Sequence, residues 1–168
     1  MTPLTDSLIF NAEIKDIYTL STYTLRLTVK GIIKNRDGDI ALIGRGGHFL
    51  LPGGGVENSE ILEHALQREI MEEIGCSIEK IKAITILHQY RDKIQKHYEI
   101  HFFEATVSGD IGMRTTTQKA ELQTKVIWKN IDEAYEILKE QSIRVDENEY
   151  AFCFNTRSHK EALYFLLQ

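Results

Sequence analysis

The spacing of hydrophobic and polar positions predicts two strands in the first third of the chain. Residues 22–35 (TYTLRLTVKGIIKN) are rich in β-branched side chains and partly alternate between apolar and polar, which is typical of a strand. Asp37 and Gly38 form a strong hairpin turn signal. Residues 39–45 (DIALIGR) predict the second strand.

A change to helical periodicity follows the glycine-rich loop after the second strand. Residues 58–74 give the best helix candidate in the chain. Asn58 or Ser59 can cap its N-terminus, and Gly75 can end it in a left-handed conformation.

The second half of the chain continues with strands and then helices. The patterns predict strands at residues 81–90, 97–110 and 124–128, a polar loop at 110–123, and helices at 131–141 and 158–168. This order favours an α/β protein with a mixed sheet and helices on its faces.

The chain length of 168 residues is that of one domain with a short terminal extension. We therefore predict a single domain at residues 22–168, preceded by an extension of uncertain structure at 1–21. The extension could pair with a second copy of the chain, so a homodimer is one hypothesis.

Charge and composition exclude some classes of protein. The net charge of −5 argues against a general nucleic-acid partner, which needs a basic surface. A small nucleotide stays possible because a bound divalent cation inverts the local field. We expect no signal peptide and no membrane span, and we read Cys76 and Cys153 as reduced thiols of a cytoplasmic protein.

The predicted central helix carries a stripe that is apolar in its first half and acidic in its second. The stripe holds Leu62, Ala65 and Leu66, and then Glu69, Glu72 and Glu73. An acidic cluster is often only a solvated surface, but this one continues the face that heads into the protein. Neighbouring carboxylates suit hard divalent cations, so the stripe predicts a metal site without naming a reaction.

Three consecutive glycines precede this helix. Gly53, Gly54 and Gly55 follow Pro52 and permit unusual backbone angles and close approach of a ligand. Their N–H groups could cradle a phosphate, although a lone glycine run is more often a flexible turn. The position directly before an acidic helix favours the phosphate interpretation.

Together, residues 54–76 resemble the signature of the Nudix hydrolases, G-x5-E-x7-R-E-U-x-E-E-x-G-U, in which U is a bulky aliphatic residue. Gly54, Glu60 and Arg68 stand at the required intervals, and the sequence EIMEEIG completes the pattern. The one departure is Cys76 at the last aliphatic position, where a small hydrophobic side chain should pack similarly.

The resemblance implies an α/β/α sandwich with a mixed sheet and a catalytic loop–helix–loop. It also implies hydrolysis of the pyrophosphate link in a nucleoside diphosphate derivative, with Mg²⁺ as cofactor and Mn²⁺ as a substitute. The metal ligands would be Glu69, Glu72, Glu73, the carbonyl of Gly53 and, downstream, Glu121. One of the glutamates would be the general base, and the resemblance leaves open which one.

Other residues have weaker claims on the site. Glu60 and Arg68 would brace the loop–helix–loop, although Arg68 is also in the expected catalytic set because it can orient Glu72. Expected substrate contacts are Arg45, Gly54, Gly55 and Arg91, and His48 could line the site. Alternative acidic ligands are Glu99 and Glu104; Tyr90, Tyr98, Phe102 and Phe103 could stack on a base but fit a strand core better.

The substrate stays open at the level of the sequence. A nucleoside triphosphate, modified or oxidised, is the default. ADP-ribose, nucleotide sugars and dinucleoside polyphosphates are alternatives. A non-catalytic nucleotide-sensing module is the rival from another class, although such modules tend to lose glutamates that this chain keeps.

Overall fold

A computed structural model describes residues 8–10, 23–116, 123–144 and 149–168. Its strands are β1 Leu8–Phe10, β2 Thr24–Lys34, β3 Ile40–Arg45, β4 His48–Leu50, β5 Ser77–Arg91, β6 Lys96–Ser108 and β7 Lys125–Lys129. Its helices are α1 Leu62–Glu73, α2 Ile131–Arg144 and α3 Tyr150–Leu167. Glu121 and most of the predicted extension at 1–21 lie outside the described residues.

The described strands form one mixed sheet of seven, in the order β1-β5-β6-β2-β3-β4, with β7 on β3. Strands β2 and β6 run parallel through eleven paired positions, from Thr24 opposite Lys96 to Lys34 opposite Thr106. The long β5–β6 pair and the pairs made by β3 are antiparallel. Strand β1 pairs in parallel with β5 of the same chain, so residues 8–10 of the predicted extension join this sheet.

Helices cover both faces of the sheet, so the α/β/α prediction is confirmed. Alternation along β2 sends Ile33 into a core with Leu66 and Ile70 of α1. The neighbouring residue Ile32 enters the opposite core, which α2 and α3 close with residues such as Leu138. Two apolar layers of this kind fix α1 and α3 on opposite sides of β2.

Strands β2 and β3 separate soon after their turn, and the glycine-rich loop fills the gap. The register pairs β2 with β3 only at Lys34 and Ile40. Beyond that point the loop lies along β2: Gly31 donates its N–H to the Pro52 carbonyl at 2.9 Å, and Val29 donates to Gly54 at 3.0 Å. The loop is therefore held as an extra strand in the middle of the sheet.

The predicted start of the central helix is wrong by about one turn. Helix α1 begins at Leu62, its N-cap is Ile61, and Ser59 has a positive φ of 65°. The Glu60 side chain instead accepts a hydrogen bond from the Glu57 N–H and binds Arg68 further along, which keeps this segment in a turn. The predicted end is confirmed, since Gly75 follows α1 with a φ of +83°.

Two other elements differ from the prediction. Helix α3 begins at Tyr150, eight positions before the predicted start at 158, because its first two turns use aromatic and polar residues without clear periodicity. The short strand β4 was not predicted within the loop sequence. In the described residues, no helix has both the length and the apolar character needed to cross a membrane.

Candidate active site at the glycine loop and helix α1

Gly53 fixes the loop against β2. It is buried and has a φ of +122°, and a Cβ at this position would lie 2.3 Å from the carbonyl oxygen of Val29. Only glycine tolerates that conformation and that contact. Its N–H donates to Glu73 Oε2 at 2.7 Å, so the loop and the end of α1 are joined directly.

The next two glycines make room for charged side chains. A Cβ on Gly54 would lie 2.5 Å from Oε1 of Glu69 and 2.6 Å from its Oε2. A Cβ on Gly55 would lie 2.1 Å from Nη2 of Arg26. The glycine run thus allows a carboxylate on one side and a guanidinium on the other to approach the backbone.

Arg68 clamps the loop to the helix. Its Nε and Nη2 donate to the two oxygens of Glu60, each at 3.0 Å, and Nη2 also donates to the Gly55 carbonyl at 2.9 Å. Its Nη1 donates to Glu69 at 2.8 Å and lies 3.6 Å from Glu72. These bonds lower the pKa of Glu60 and are the contacts that the expected bracing role requires.

The three glutamates of α1 differ in their environment. Glu69 is 9% exposed, and burial raises the pKa of its carboxyl, while Arg68 opposes that effect and Glu72 adds to it. Glu72 and Glu73 are partly buried at the same end of α1. Three carboxylates on adjacent turns repel one another, so the site favours a bound cation.

Two basic residues that the sequence analysis missed also belong to this site. Lys30 on β2 donates to the carbonyl oxygens of Gly53 and, at 3.3 Å, of Leu51. Arg26, two pleats earlier on the same strand, reaches the loop at Gly55. Neither position belongs to a motif; the available signal was the placement of basic side chains between apolar residues of a strand.

A cleft of about 800 Å³ opens between the glycine loop and α1. The lining residues are Arg26, Arg45, Gly53, Gly54, Gly55, Val56, Glu57, Asn58, Arg68, Glu69, Glu72 and Glu73. The structure therefore brings most of the expected site residues together around one cleft.

The donor set suits a divalent cation of the Mg²⁺ class. Glu69, Glu73 and the Gly53 carbonyl are oxygen donors that could hold such a cation, and a Cβ on Gly54 would fill the space beside the Glu69 carboxylate. In the described residues, no group of three or more His, Cys, Asp or Glu side chains is already arranged around one point for a metal ion. Glu69 instead binds Arg68, and Glu73 accepts the Gly53 N–H.

Several other expected site residues lie elsewhere. Arg91 is 4% exposed, donates to Gln89 and Asn155, and stacks over Tyr98 at 4.0 Å, so it holds α3 on the sheet and does not line the cleft. His48 turns toward α3, with its ring centroid 4.2 Å from that of Phe152.

The alternative acidic ligands and the aromatic candidates also have other contacts. Glu104 pairs with Lys34, and Glu99 contacts His101 at 2.7 Å. Of the four aromatic candidates, Tyr90, Phe102 and Phe103 are buried, in agreement with a strand core. Glu121 lies outside the described residues.

Comparison with known proteins identifies the family. The model of the NUDIX domain matches residues 24–152, which is most of the chain. The chain belongs to the Nudix family. Both the family resemblance of residues 54–76 and the fold class predicted from the sequence are thereby confirmed.

Solved structures agree with this Nudix assignment. A MutT NUDIX hydrolase from Burkholderia pseudomallei is 27% identical, with a TM-score of 0.54 over 65% of this chain and 85% of its own. A NUDIX hydrolase from Nitrosomonas europaea shares the fold, at 22% identity and a TM-score of 0.56, over 82% of this chain and 91% of its own.

A curated relative is similar over a shorter stretch. The 8-oxo-dGTP diphosphatase of Proteus vulgaris is 37% identical over 62 residues, which is 36% of this chain. The match spans 53% of that relative, or about half of its length.

Proposed function

We propose that this Nudix protein is a Mg²⁺-dependent pyrophosphohydrolase that acts on a nucleoside triphosphate, with Mn²⁺ able to replace Mg²⁺. Water attacks one phosphorus, the bond from that phosphorus to a bridging oxygen breaks, and a nucleoside monophosphate and pyrophosphate leave. Its family supports hydrolysis of a nucleoside diphosphate derivative. The 8-oxo-dGTP diphosphatase relative makes an oxidised nucleotide the first one to test.

One structural relationship carries this proposal. The Glu69 carboxylate lies against Gly54, and the Glu73 carboxylate accepts the N–H of Gly53, so both acids meet the glycine loop inside the cleft. A pyrophosphate in this cleft would meet the expected metal ligands and also Arg26 and Arg45, which line the same cleft. Positive charge near the phosphates, supplied by the bound cation, is what a transferring phosphoryl group needs.

Each residue of the cleft then has a defined task. Glu69, Glu72 and Glu73 would hold the cation together with the Gly53 carbonyl, and one of the glutamates would accept the proton of the attacking water. When bound, Mg²⁺ would lower the pKa of that water and offset the negative charge on the phosphates. Arg68 keeps the loop and helix in register through Glu60.

The lining favours recognition of phosphate over recognition of a base in this part of the site. Among the described lining residues, Val56 alone has an apolar side chain, while Arg26 and Arg45 are both cationic. One guanidinium group can donate two parallel hydrogen bonds to the oxygens of a phosphate, which suits a triphosphate. ADP-ribose, nucleotide sugars and dinucleoside polyphosphates share this diphosphate element and stay as alternatives.

The test is hydrolysis of a nucleotide panel by the wild type and by Glu73→Gln. The panel contains canonical-base and 8-oxo nucleoside triphosphates, ADP-ribose, nucleotide sugars and dinucleoside polyphosphates, with products separated by chromatography. Gln at position 73 keeps an oxygen to accept the Gly53 N–H but loses the charge, so turnover should fall at least about a hundredfold without loss of fold. Glu63→Gln, an exposed change on the same helix, should leave turnover unaltered.

Cleavage of one nucleotide at its pyrophosphate link, lost in Glu73→Gln and kept in Glu63→Gln, would support the proposal and identify the substrate. Tight binding of a nucleotide with no cleavage of any panel member would favour the non-catalytic sensing module instead.

A further inference from the structure

The ammonium group of Lys30 lies beside a backbone oxygen that is an expected metal ligand. It lies on β2, opposite Phe102 of β6, and its side chain is half-buried. Its Nζ donates to the carbonyl oxygen of Gly53 and, at 3.3 Å, to that of Leu51. The Gly53 carbonyl is the same oxygen that the proposed function assigns to the divalent cation.

The ammonium group of Lys30 is under the influence of the negative charges of Glu73 and Glu69, as a bound metal ion there would be. Burial and the nearby Arg45 lower the pKa of Lys30, whereas Glu73 and Glu69 act in the opposite direction. The carboxylates therefore offset part of the cost of burying this charge. No motif requires a lysine here, and its neighbours Val29 and Gly31 serve the core and the backbone pairing of the loop.

The backbone around Gly53 holds its carbonyl oxygen in place beside Lys30. Gly53 is held between β2 and α1, because a Cβ there would already overlap Val29 and its N–H is bound by Glu73. The adjoining residue Gly54 accepts the N–H of Val29 at 3.0 Å. A divalent ion that uses the Gly53 carbonyl thus competes with the ammonium for one fixed oxygen.

We infer that Lys30 acts as a tethered cation at the Gly53 carbonyl and that a divalent ion must displace it to bind there. The inference rests on the proposed function, since it uses the same ligand set. Lys30 then stabilises the metal-free protein and lowers the affinity of the site for Mg²⁺ or Mn²⁺. It is a positioning residue that sets how much free metal the protein needs.

The test is metal binding by Lys30→Met, which keeps the length of the apolar stem and removes the charge. Calorimetry with Mg²⁺ and electron paramagnetic resonance of free Mn²⁺ should show affinity raised by about tenfold or more, without any substrate present. In a chelator the variant should melt at a lower temperature than wild type, and added metal should restore more of its stability.

Lys34→Met is the matched control. Lys34 lies two pleats further along the same face of β2 and pairs with Glu104 outside the cleft. Its replacement should leave metal affinity unchanged. Lys30→Gln, which can still donate to Gly53 without a charge, provides a second neutral variant in case Lys30→Met does not fold, and it should also bind metal more tightly than wild type.

Equal or weaker metal affinity in a folded Lys30 variant would overturn the inference, because it would mean that the lysine supports the loop without competing for its oxygen. Failure of the proposed function looks different. There the wild type itself would bind no metal and cleave no nucleotide, whereas failure of the Lys30 inference leaves wild-type metal binding and hydrolysis intact.

Discussion

The backbone N–H of Leu51 donates a hydrogen bond of 3.0 Å to Nδ1 of His159, and both residues are buried. His159 belongs to α3, and Leu51 lies two residues before Gly53, so the last helix holds the start of the glycine loop. Because Nδ1 accepts a hydrogen bond, the proton of the neutral imidazole lies on Nε2. That Nε2 has no hydrogen-bond partner among the described residues.

Replacing His159 with leucine should destabilise the protein and loosen the site. The buried Leu51 N–H would lose its acceptor, which costs about 1–3 kcal/mol of unfolding free energy. Turnover should fall as well, because Gly53 would no longer be held from both sides. Urea denaturation and steady-state kinetics measure the two effects. His159→Asn places an oxygen close to the position of Nδ1 and should recover part of both; equal losses in the two variants would contradict this role.

Stability should decrease as the pH falls below about 6.5, the ordinary pKa of histidine. Burial lowers the pKa of His159 well below that value, with Lys30 and Arg91 adding to the effect. Burial and the adjacent His88 lower the pKa of His97, although Glu99 opposes them. The unfolded chain therefore takes up protons that the folded protein excludes, so the stabilisation present above pH 6.5 is lost on acidification.

Urea denaturation at a series of pH values from about 8 to about 5 measures this dependence. His159→Asn should give a shallower decrease than wild type. His64→Gln, which changes an exposed histidine of α1, should give the wild-type slope. An unfolding free energy that does not change across this range would contradict the assignment of the buried histidines as neutral.

Gly54→Ala should reduce activity more than stability. Its new Cβ would lie 2.5 Å from Oε1 of Glu69, and Arg68 holds that carboxylate at 2.8 Å, so Glu69 must leave its place. We expect at least about a tenfold loss of turnover and weaker metal binding, with only a small fall in melting temperature. Gly112→Ala, whose Cβ would approach nothing nearer than 3.7 Å, should behave as wild type. Equal turnover for the two variants would contradict the close fit at Gly54.

The acidic half of the site could be predicted because its information is local. Glu69 and Glu73 share a helical face with the apolar residues before them, and Gly53 stands in the short segment that leads into that helix, so the local sequence indicates that they lie near one another. The start of α1 could not be predicted in this way. The competing interaction there is tertiary: Arg68 holds Glu60 in a turn that the local capping signal of Asn58 does not reveal.

The basic half of the site depends on long-range structure. Lys30 and Arg26 reach the loop because β2 separates from β3. The free edge of β2 then pairs with the glycine-rich loop, more than twenty positions further along the chain. No periodicity in the sequence encodes that separation. Arg91 shows the reverse case, since its pleat position turns it toward Asn155 of α3 and away from the cleft.

Arg26 should contribute to substrate binding more than to turnover. Its guanidinium lies against Gly55 on the wall of the cleft, and among the described residues it makes no ion pair or hydrogen bond that a phosphate would have to replace. Arg26→Met should raise the KM for a nucleoside triphosphate by about tenfold and change kcat by less than about threefold, since a contact made equally in ground and transition states alters only binding. The effect should shrink at high salt, because exposed charges are screened.

Arg36→Met removes an exposed arginine that faces Asp110 outside the cleft and should leave both constants unchanged. A fall in kcat at constant KM would contradict this prediction, because it would mean that Arg26 stabilises charge that develops in the transition state.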